Sequence, residues 1–289
     1  MGRDICRLSV EKTMKKAGIL FSFFFIQLFL LSVKAQEKVA ESGLGDAASN
    51  AVNPLAFITK LQLQPNFTWK EDKARQLNLT TRIVQPTPSV GLPFIKSKNP
   101  GKLYTIYRME IPIIGQTYPA KPSLDATGLS DLIIADLIAF KQKWGIIGAG
   151  PEIIIPTQNP EQISGGKWCA GLGSVVLNTK TKGLIYGVLL QQFFSFAGSR
   201  DRHNRNFMLF QPIFTKILSN GFFIGSSPIF TFDWENDTYS FPMILIFGKA
   251  FAKNLSAFIG PQYMISGPNK GDVTVQFQLN AMFPPNKKK

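Results

Sequence analysis

From Pro54 onward, apolar and polar residues alternate with a period of two. In Phe57–Trp69 the odd positions are mainly apolar, while Lys60, Gln62, Gln64, Asn66 and Thr68 fall on the other face. That is a strand with one greasy and one wet side. The closing segment repeats the pattern: Val273, Val275, Phe277, Leu279, Ala281 and Phe283 alternate with Thr274, Gln276, Gln278 and Asn280. Comparable segments fall at 57–68, 77–86, 103–113, 129–140, 145–155, 168–178, 184–196, 207–217, 222–232, 239–249, 255–264 and 272–283. Each is near the ~9–11 residues of a tilted membrane strand. The expectation is an all-β chain: an antiparallel transmembrane β-barrel of about 12 strands over residues 54–284.

An even strand number puts both termini on the periplasmic side. The outer loops then fall at 69–76, 114–128, 156–167, 197–206, 233–238 and 265–271, and the inner turns at 87–102, 141–144, 179–183, 218–221 and 250–254. Longer connections are mostly outer, as such barrels require, except for the long Pro/Gly-rich stretch 87–102. Pro112, Pro212, Pro228 and Pro242 count against their strands, since each removes a ladder donor; strand ends or bulges would accommodate them. Asp131 and Asp136 cannot face the same side without a bulge. Trp69, Trp144, Trp168 and Trp234, with Tyr239, gather at strand ends, where an interfacial girdle would sit. A secreted β-sandwich predicts the same alternation. Long strands, Phe/Leu/Ile-rich apolar faces and the aromatic ends favour the barrel.

Composition supports strands over helices. The 289 residues are 45% hydrophobic with 25 Phe, and only 17% are charged. After residue 35 no apolar stretch approaches the ~18 residues of a helical span. The start of the chain reads as an export signal: Lys15 and Lys16 precede the apolar run Ala17–Val33, and cleavage is expected after Ala35, with Met14 an alternative start. An uncleaved anchor is the other reading of that run. Residues 36–53, small and polar, read as a flexible leader, and 285–289 as a basic tail. Cys6 falls in the removed segment and leaves Cys169 alone, so no internal disulfide is expected. The net charge of +14 raises nucleic acid as a partner, but the basic residues lie in turns and termini with no recognition motif, and nucleic acid is set aside.

Over Gly128–Pro284, and more loosely from Asn53, ordered motifs carry a resemblance. They are Gly128-Leu129-Ser130-Asp131, Trp144–Pro151, Ser164–Gly171, Phe194–Gly198, Gln211-Pro212, Ser226-Ser227-Pro228-Ile229 with Asp233-Trp234, and Gln276-Phe277-Gln278 with Phe283-Pro284. In this order the chain resembles the bacterial outer-membrane proteins called neuromedin-U-like, near relatives of barrels linked to aromatic-compound degradation. The resemblance implies a barrel of a Gram-negative outer membrane with a porin-like, transporter-like role. The chain departs from that pattern at Cys169, where a Ser-like residue is usual, and in the 87–102 connection.

Chemistry would sit in a polar lumen. Lys60, Arg82, Arg108, Glu110, Gln211, Gln276 and Gln278 are the lumen or constriction candidates, because a charge facing lipid at mid-depth costs ~2–4 kcal/mol. Arg82, Arg108 and Glu110 read either as a charged constriction selecting solutes or as a salt-bridge network bracing the barrel. The single histidine, His203, shares the polar loop Ser199–Arg205 with Ser199 and Asp201. Convergence from a rigid scaffold is missing there, which argues against a hydrolase triad. Gly148-Ala149-Gly150 and Gly171-Leu172-Gly173 lack the strand-to-helix context of a phosphate loop. No metal-ligand spacing and no cofactor is expected. The functional expectation is a passive channel for small or hydrophobic solutes. Its alternatives are a non-conducting structural or surface-interaction barrel and, third, a membrane-embedded lipid hydrolase. Expected partners are outer-membrane lipid, lipopolysaccharide, a small solute and the barrel-assembly machinery.

Overall fold

The computed structural model describes residues 43–70, 73–90, 92–99, 101–157 and 160–283, apart from the side chains at 92–94. The expected export signal, Cys6 and the tail at 285–289 lie outside the described residues. The described chain opens with helix α1 (Gly43–Val52) and continues as strands β1 (Thr59–Trp69), β2 (Arg75–Thr87), β3 (Ser89–Val90), β4 (Leu92–Lys96) and β5 (Leu103–Thr117). Then come β6 (Ala126–Leu129), β7 (Leu132–Lys141), β8 (Gly145–Ile155), β9 (Lys167–Asn178), β10 (Leu184–Gly198) and β11 (Asn206–Ile217). The last six are β12 (Phe222–Ser226), β13 (Phe230–Asp233), β14 (Thr238–Ile244), β15 (Ile246–Ala252), β16 (Leu255–Ser266) and β17 (Val273–Phe283).

All but β3 and β4 join one sheet, every pairing of which is antiparallel. First strand β1 pairs with last strand β17, so the sheet closes into a barrel. Three wall strands are interrupted: β6 runs on into β7, β12 into β13, and β14 into β15. Counted as wall strands they make a closed 12-strand antiparallel barrel, in agreement with the twelve segments read from alternation.

Each break has a cause in the sequence. The β5 ladder passes from β6 to β7 with a one-residue shift over Ser130–Leu132, opposite Ile111 and Pro112. This bulge reverses facing, so Asp131 turns inward and Asp136 outward beside Ile134 and Ile138. The β14–β16 register shifts between Phe241 and Pro242. Pro212 and Pro228 face each other where the β11 ladder lapses between β12 and β13. Each of the four doubtful prolines thus has a lapse or register shift on at least one side, while Pro112, Pro212 and Pro242 keep a paired neighbour on the other, so their strands accommodate them.

The long connection after β2 is a hairpin of its own. Strands β3 and β4 form a separate two-stranded sheet, and the Thr105 hydroxyl donates to the Ser89 carbonyl at 3.0 Å. Its other inner neighbours, 142–144, 179–183, 218–221 and 253–254, are short.

Outside, the wall is apolar. Leu61, Leu63, Phe67, Leu77, Ile83, Met109, Ile113, Leu172 and Val176 are all exposed, as are Phe277 and Leu279 on the last strand. A soluble sandwich would bury one face of each strand; here the apolar face of the closed sheet points away from the chain.

The leader differs from expectation. Gly43–Val52 is a helix, with Ala47, Ala48 and Ala51 buried against Ala56, Ile58, Ile217, Phe223, Ala250 and Met282. The partners are inward residues at the end of the barrel that carries the short turns. Small side chains read as flexible because they bury little alone. Inside a barrel they let a helix approach the wall closely.

Candidate functional site

The interior is built from the plug outward. Beyond α1 the chain turns at Asn53, whose side-chain oxygen accepts from the Leu55 N–H at 2.9 Å. Leu55 is wholly buried among Val84, Tyr104, Ile106, Leu137, Ile146, Val175, Leu177, Ile185, Leu189 and Ile213. The Tyr104 hydroxyl donates to the Leu55 carbonyl at 2.7 Å. A Cβ at Gly148 would stand 2.9 Å from Leu55 Cδ1, so that glycine makes the seat for this side chain. Gly171 and Gly173 make room in the same way, for the Phe193 ring and the Glu152 carboxylate.

Lys60 faces inward from the start of β1 and is 2% exposed. Its Nζ donates to the carbonyls of Asn50 at 3.2 Å and Asn53 at 2.7 Å. These lie at the end of α1, where unpaired carbonyls and the helix dipole favour a cation. Lys60 is thus a clamp on the plug as well as a lumen residue.

Above the plug, Arg82 Nε donates to Glu110 at 2.8 Å and its guanidinium also reaches Gln64. Arg108 pairs with the other Glu110 oxygen. Arg82, Arg108 and Glu110 thus form one paired network. Gln276 donates to Gln262 at 3.0 Å, Gln278 to Asn280 at 2.6 Å, and Gln211 to the Ser227 hydroxyl at 2.9 Å. Six of the seven candidates, Lys60, Arg82, Arg108, Gln211, Gln276 and Gln278, line one cavity of about 450 Å³; Glu110 stands behind it, held by its arginines. The cavity runs from a floor of Ala51, Val52 and Pro54 to Asn269 in the loop at the opposite rim.

Three inward charges escaped the sequence reading. Glu152 is buried, accepts from Gln191 at 2.6 Å and keeps one oxygen without a hydrogen-bond partner. Asp131 and Arg205 pair at 2.9 Å near the outer rim, where Asp131 also accepts from the Ser164 hydroxyl at 2.6 Å. Charge within a strand was the available signal, but it needs the facing, and the bulge at 130–132 hid it. Cys169 is buried beside Ile154 and Phe193.

The four tryptophans lie at strand ends. Trp69, Trp168 and Trp234 mark the rim of the longer loops and Trp144 the rim of the short turns; all but the half-buried Trp168 are exposed. Trp234 Nε1 donates to Gln192 at 3.2 Å. His203 is exposed on the loop after β10, and the hydroxyls near it are engaged elsewhere: Ser199 accepts from Asp201 N–H and Ser195 from Arg205 N–H. No helix among the described residues is long and apolar enough to cross a membrane, which leaves crossing by strands untouched.

No protein-family model matches the chain, and no curated protein matches it in sequence. Solved structures do match it in shape. An outer-membrane channel from Pseudomonas putida F1 superposes with a TM-score of 0.60 at 11% identity, covering 78% of this chain and 94% of that one. The NanC porin follows with a TM-score of 0.52 at 9% identity, covering 76% and 98%. The fold is that of an outer-membrane barrel. At these identities the likeness concerns architecture, and the barrel's lumen must be read from its own residues.

Proposed function

We propose that this barrel is a passive channel of a Gram-negative outer membrane, carrying small solutes, with its own N-terminal segment stopping the lumen at the end of the short turns. The observation that carries the reading is a polar cavity inside a closed barrel whose outer wall is apolar. Such a wall has lipid as its natural solvent, and the Trp girdle fits the interfaces. An export signal cut after Ala35, lipopolysaccharide at the outer loops and insertion by the barrel-assembly machinery belong to the same reading. So does narrower kinship with neuromedin-U-like barrels, which rests on the order of the sequence motifs.

In the arrangement described the terminal end is filled by Leu55 and its neighbours, so conduction requires the plug to move or to leave a narrow path beside it. That filling is also what favours the second reading, a non-conducting structural barrel. Planar-bilayer recording on refolded protein separates the two. Discrete conductance steps that enlarge when residues 36–55 are deleted are expected. Silence from both the full-length and the shortened protein would end the channel reading.

A further inference from the structure

Charge is unevenly shared between the two ends of the barrel. The connection between β2 and β5 carries Lys96, Lys98 and Lys102, the β7–β8 turn Lys143, the β9–β10 turn Lys180 and Lys182, and the β15–β16 turn Lys253. No Asp or Glu stands in any inner turn. Among the described residues only Asp46, in the first turn of α1, brings an acid to that end. Every outer loop except 265–271 carries an acid, so the opposite rim mixes its signs. The ion pairs of the described residues lie in the lumen and the outer loops, and none of them takes an inner-turn lysine.

A rim with one sign of charge attracts anions, and the outward face of the wall sets where they sit. Strand β15 adds Lys249, whose neighbour Ala250 is buried against the plug, so Lys249 points outward. Its Nζ stands 4.3 Å from the centre of the Phe222 ring, and Phe247 and Phe251 are exposed two residues to either side of it. Phe222 opens β12, so the one inner turn without a lysine, 218–221, is served from the neighbouring strand. Lys102 Nζ stands 5.6 Å from the centre of the exposed Phe140 ring, and exposed Trp144 follows Lys143. Ammonium groups laid over rings at the margin of an apolar wall stand at headgroup level, with stem and ring toward hydrocarbon and charge toward phosphate. A polymer in the water beyond the membrane would meet the turns but not Lys249.

We propose that the short-turn rim is a cationic collar that binds the phosphate groups of anionic glycerophospholipids in the periplasmic leaflet. The proposal rests on the membrane placement given above and adds a ligand to it. A phosphodiester such as that of phosphatidylglycerol brings an unbalanced negative charge to the lysines, whereas a zwitterionic headgroup carries its own ammonium and gains less. Turns all round the wall contribute, so lipid is held along the rim and not at one point.

The test reads lipid selectivity directly. The protein is refolded into phosphatidylcholine vesicles with a trace of spin-labelled phosphatidylglycerol or spin-labelled phosphatidylcholine, and the electron paramagnetic resonance spectrum gives the fraction of each label immobilised at the wall. Phosphatidylglycerol is expected to associate about threefold or more over phosphatidylcholine, K102Q/K143Q/K182Q/K249Q/K253Q to bring the ratio close to one, and K121Q/R200Q/K270Q, on the opposite rim, to leave it unchanged. A ratio near one in the parent, or an equal fall in the outer-rim variant, would overturn the collar and leave the membrane reading standing. No immobilised component with either label would overturn both. A ratio near one together with salt-sensitive sedimentation on peptidoglycan sacculi would overturn the lipid in favour of a cell-wall partner. Should the fivefold variant not fold, the parent decides alone: its ratio must drop toward one in about 1 M sodium chloride, and a ratio that salt leaves unchanged overturns the collar equally.

Discussion

Replacing Leu55 by Ala tests whether the plug is a door. Leu55 is fully buried in an apolar cluster drawn from seven wall strands, and its seat includes the space left by Gly148. Truncating such a leucine costs about 2–5 kcal/mol, from lost transfer energy and the cavity left behind. With about 3 kcal/mol as the central figure, and tenfold for every ~1.4 kcal/mol, the ratio of docked to undocked plug falls by about a hundredfold. The Tyr104 hydroxyl bond to the Leu55 carbonyl survives the change, so the loss is one of packing. Single-channel recording should show longer openings, and a cysteine placed at Ala48 should become open to a water-soluble thiol reagent. A second substitution sharpens the reasoning. Gly148→Ala puts a methyl 2.9 Å from Leu55 Cδ1, so alone it should loosen the plug, whereas in the Leu55→Ala background the methyl finds space and should cost much less. Normal openings and an unlabelled Ala48→Cys in a Leu55→Ala protein would refute the idea that Leu55 burial holds the lumen shut. So would full additivity of the two changes.

Three further outcomes follow from the wall and the lumen. Glu110→Gln strands Arg82 and Arg108 beside each other in a mostly buried site, and should lower stability by about 3 kcal/mol, the low end for a broken buried pair; a heat-modifiability midpoint equal to the parent's would contradict it. Asp136 points outward among isoleucines with one carboxylate oxygen buried and lacking a hydrogen-bond partner, so Asp136→Leu should stabilise the barrel in lipid by roughly 1–2 kcal/mol, and a loss on urea titration would show the facing to be wrong. Lys60, Arg82 and Arg108 line the cavity while Glu110 stands behind it, so the reversal potential in a salt gradient should report anion preference, reduced in Arg108→Gln; an unchanged ratio would mean that ions bypass this cavity.

Strand number and spacing were legible because period-two alternation survives wherever one face meets lipid and the other meets polar lumen, as in β1 and β17. Legibility failed where the lumen is not polar. In Leu132–Phe140 the inward Ala135, Leu137 and Ala139 are as apolar as the outward Ile134 and Ile138, because they cover the plug. A strand with apolar neighbours on both sides loses its alternation and, with it, the facing of any charge it carries. The plug itself was hidden by its composition. Ala47, Ala48 and Ala51 are too small to announce an amphipathic helix, yet smallness is what the barrel interior demands. The prolines were read correctly as ladder breakers, but only the register shows that Pro212 and Pro228 meet across adjacent wall strands.

The clamp between Lys60 and the end of α1 bears on how the molecule comes into being. Lys60 belongs to β1, and β1 is the strand that seals the barrel by pairing with β17, the last to be made. A helix tethered that closely to the sealing strand has little slack to be threaded in afterwards. It must already lie within the curling sheet when first and last strands meet, so the wall closes around an occupied interior. Shortening the chain before Thr59 would then alter the rate of that final closure as well as the width of what remains inside.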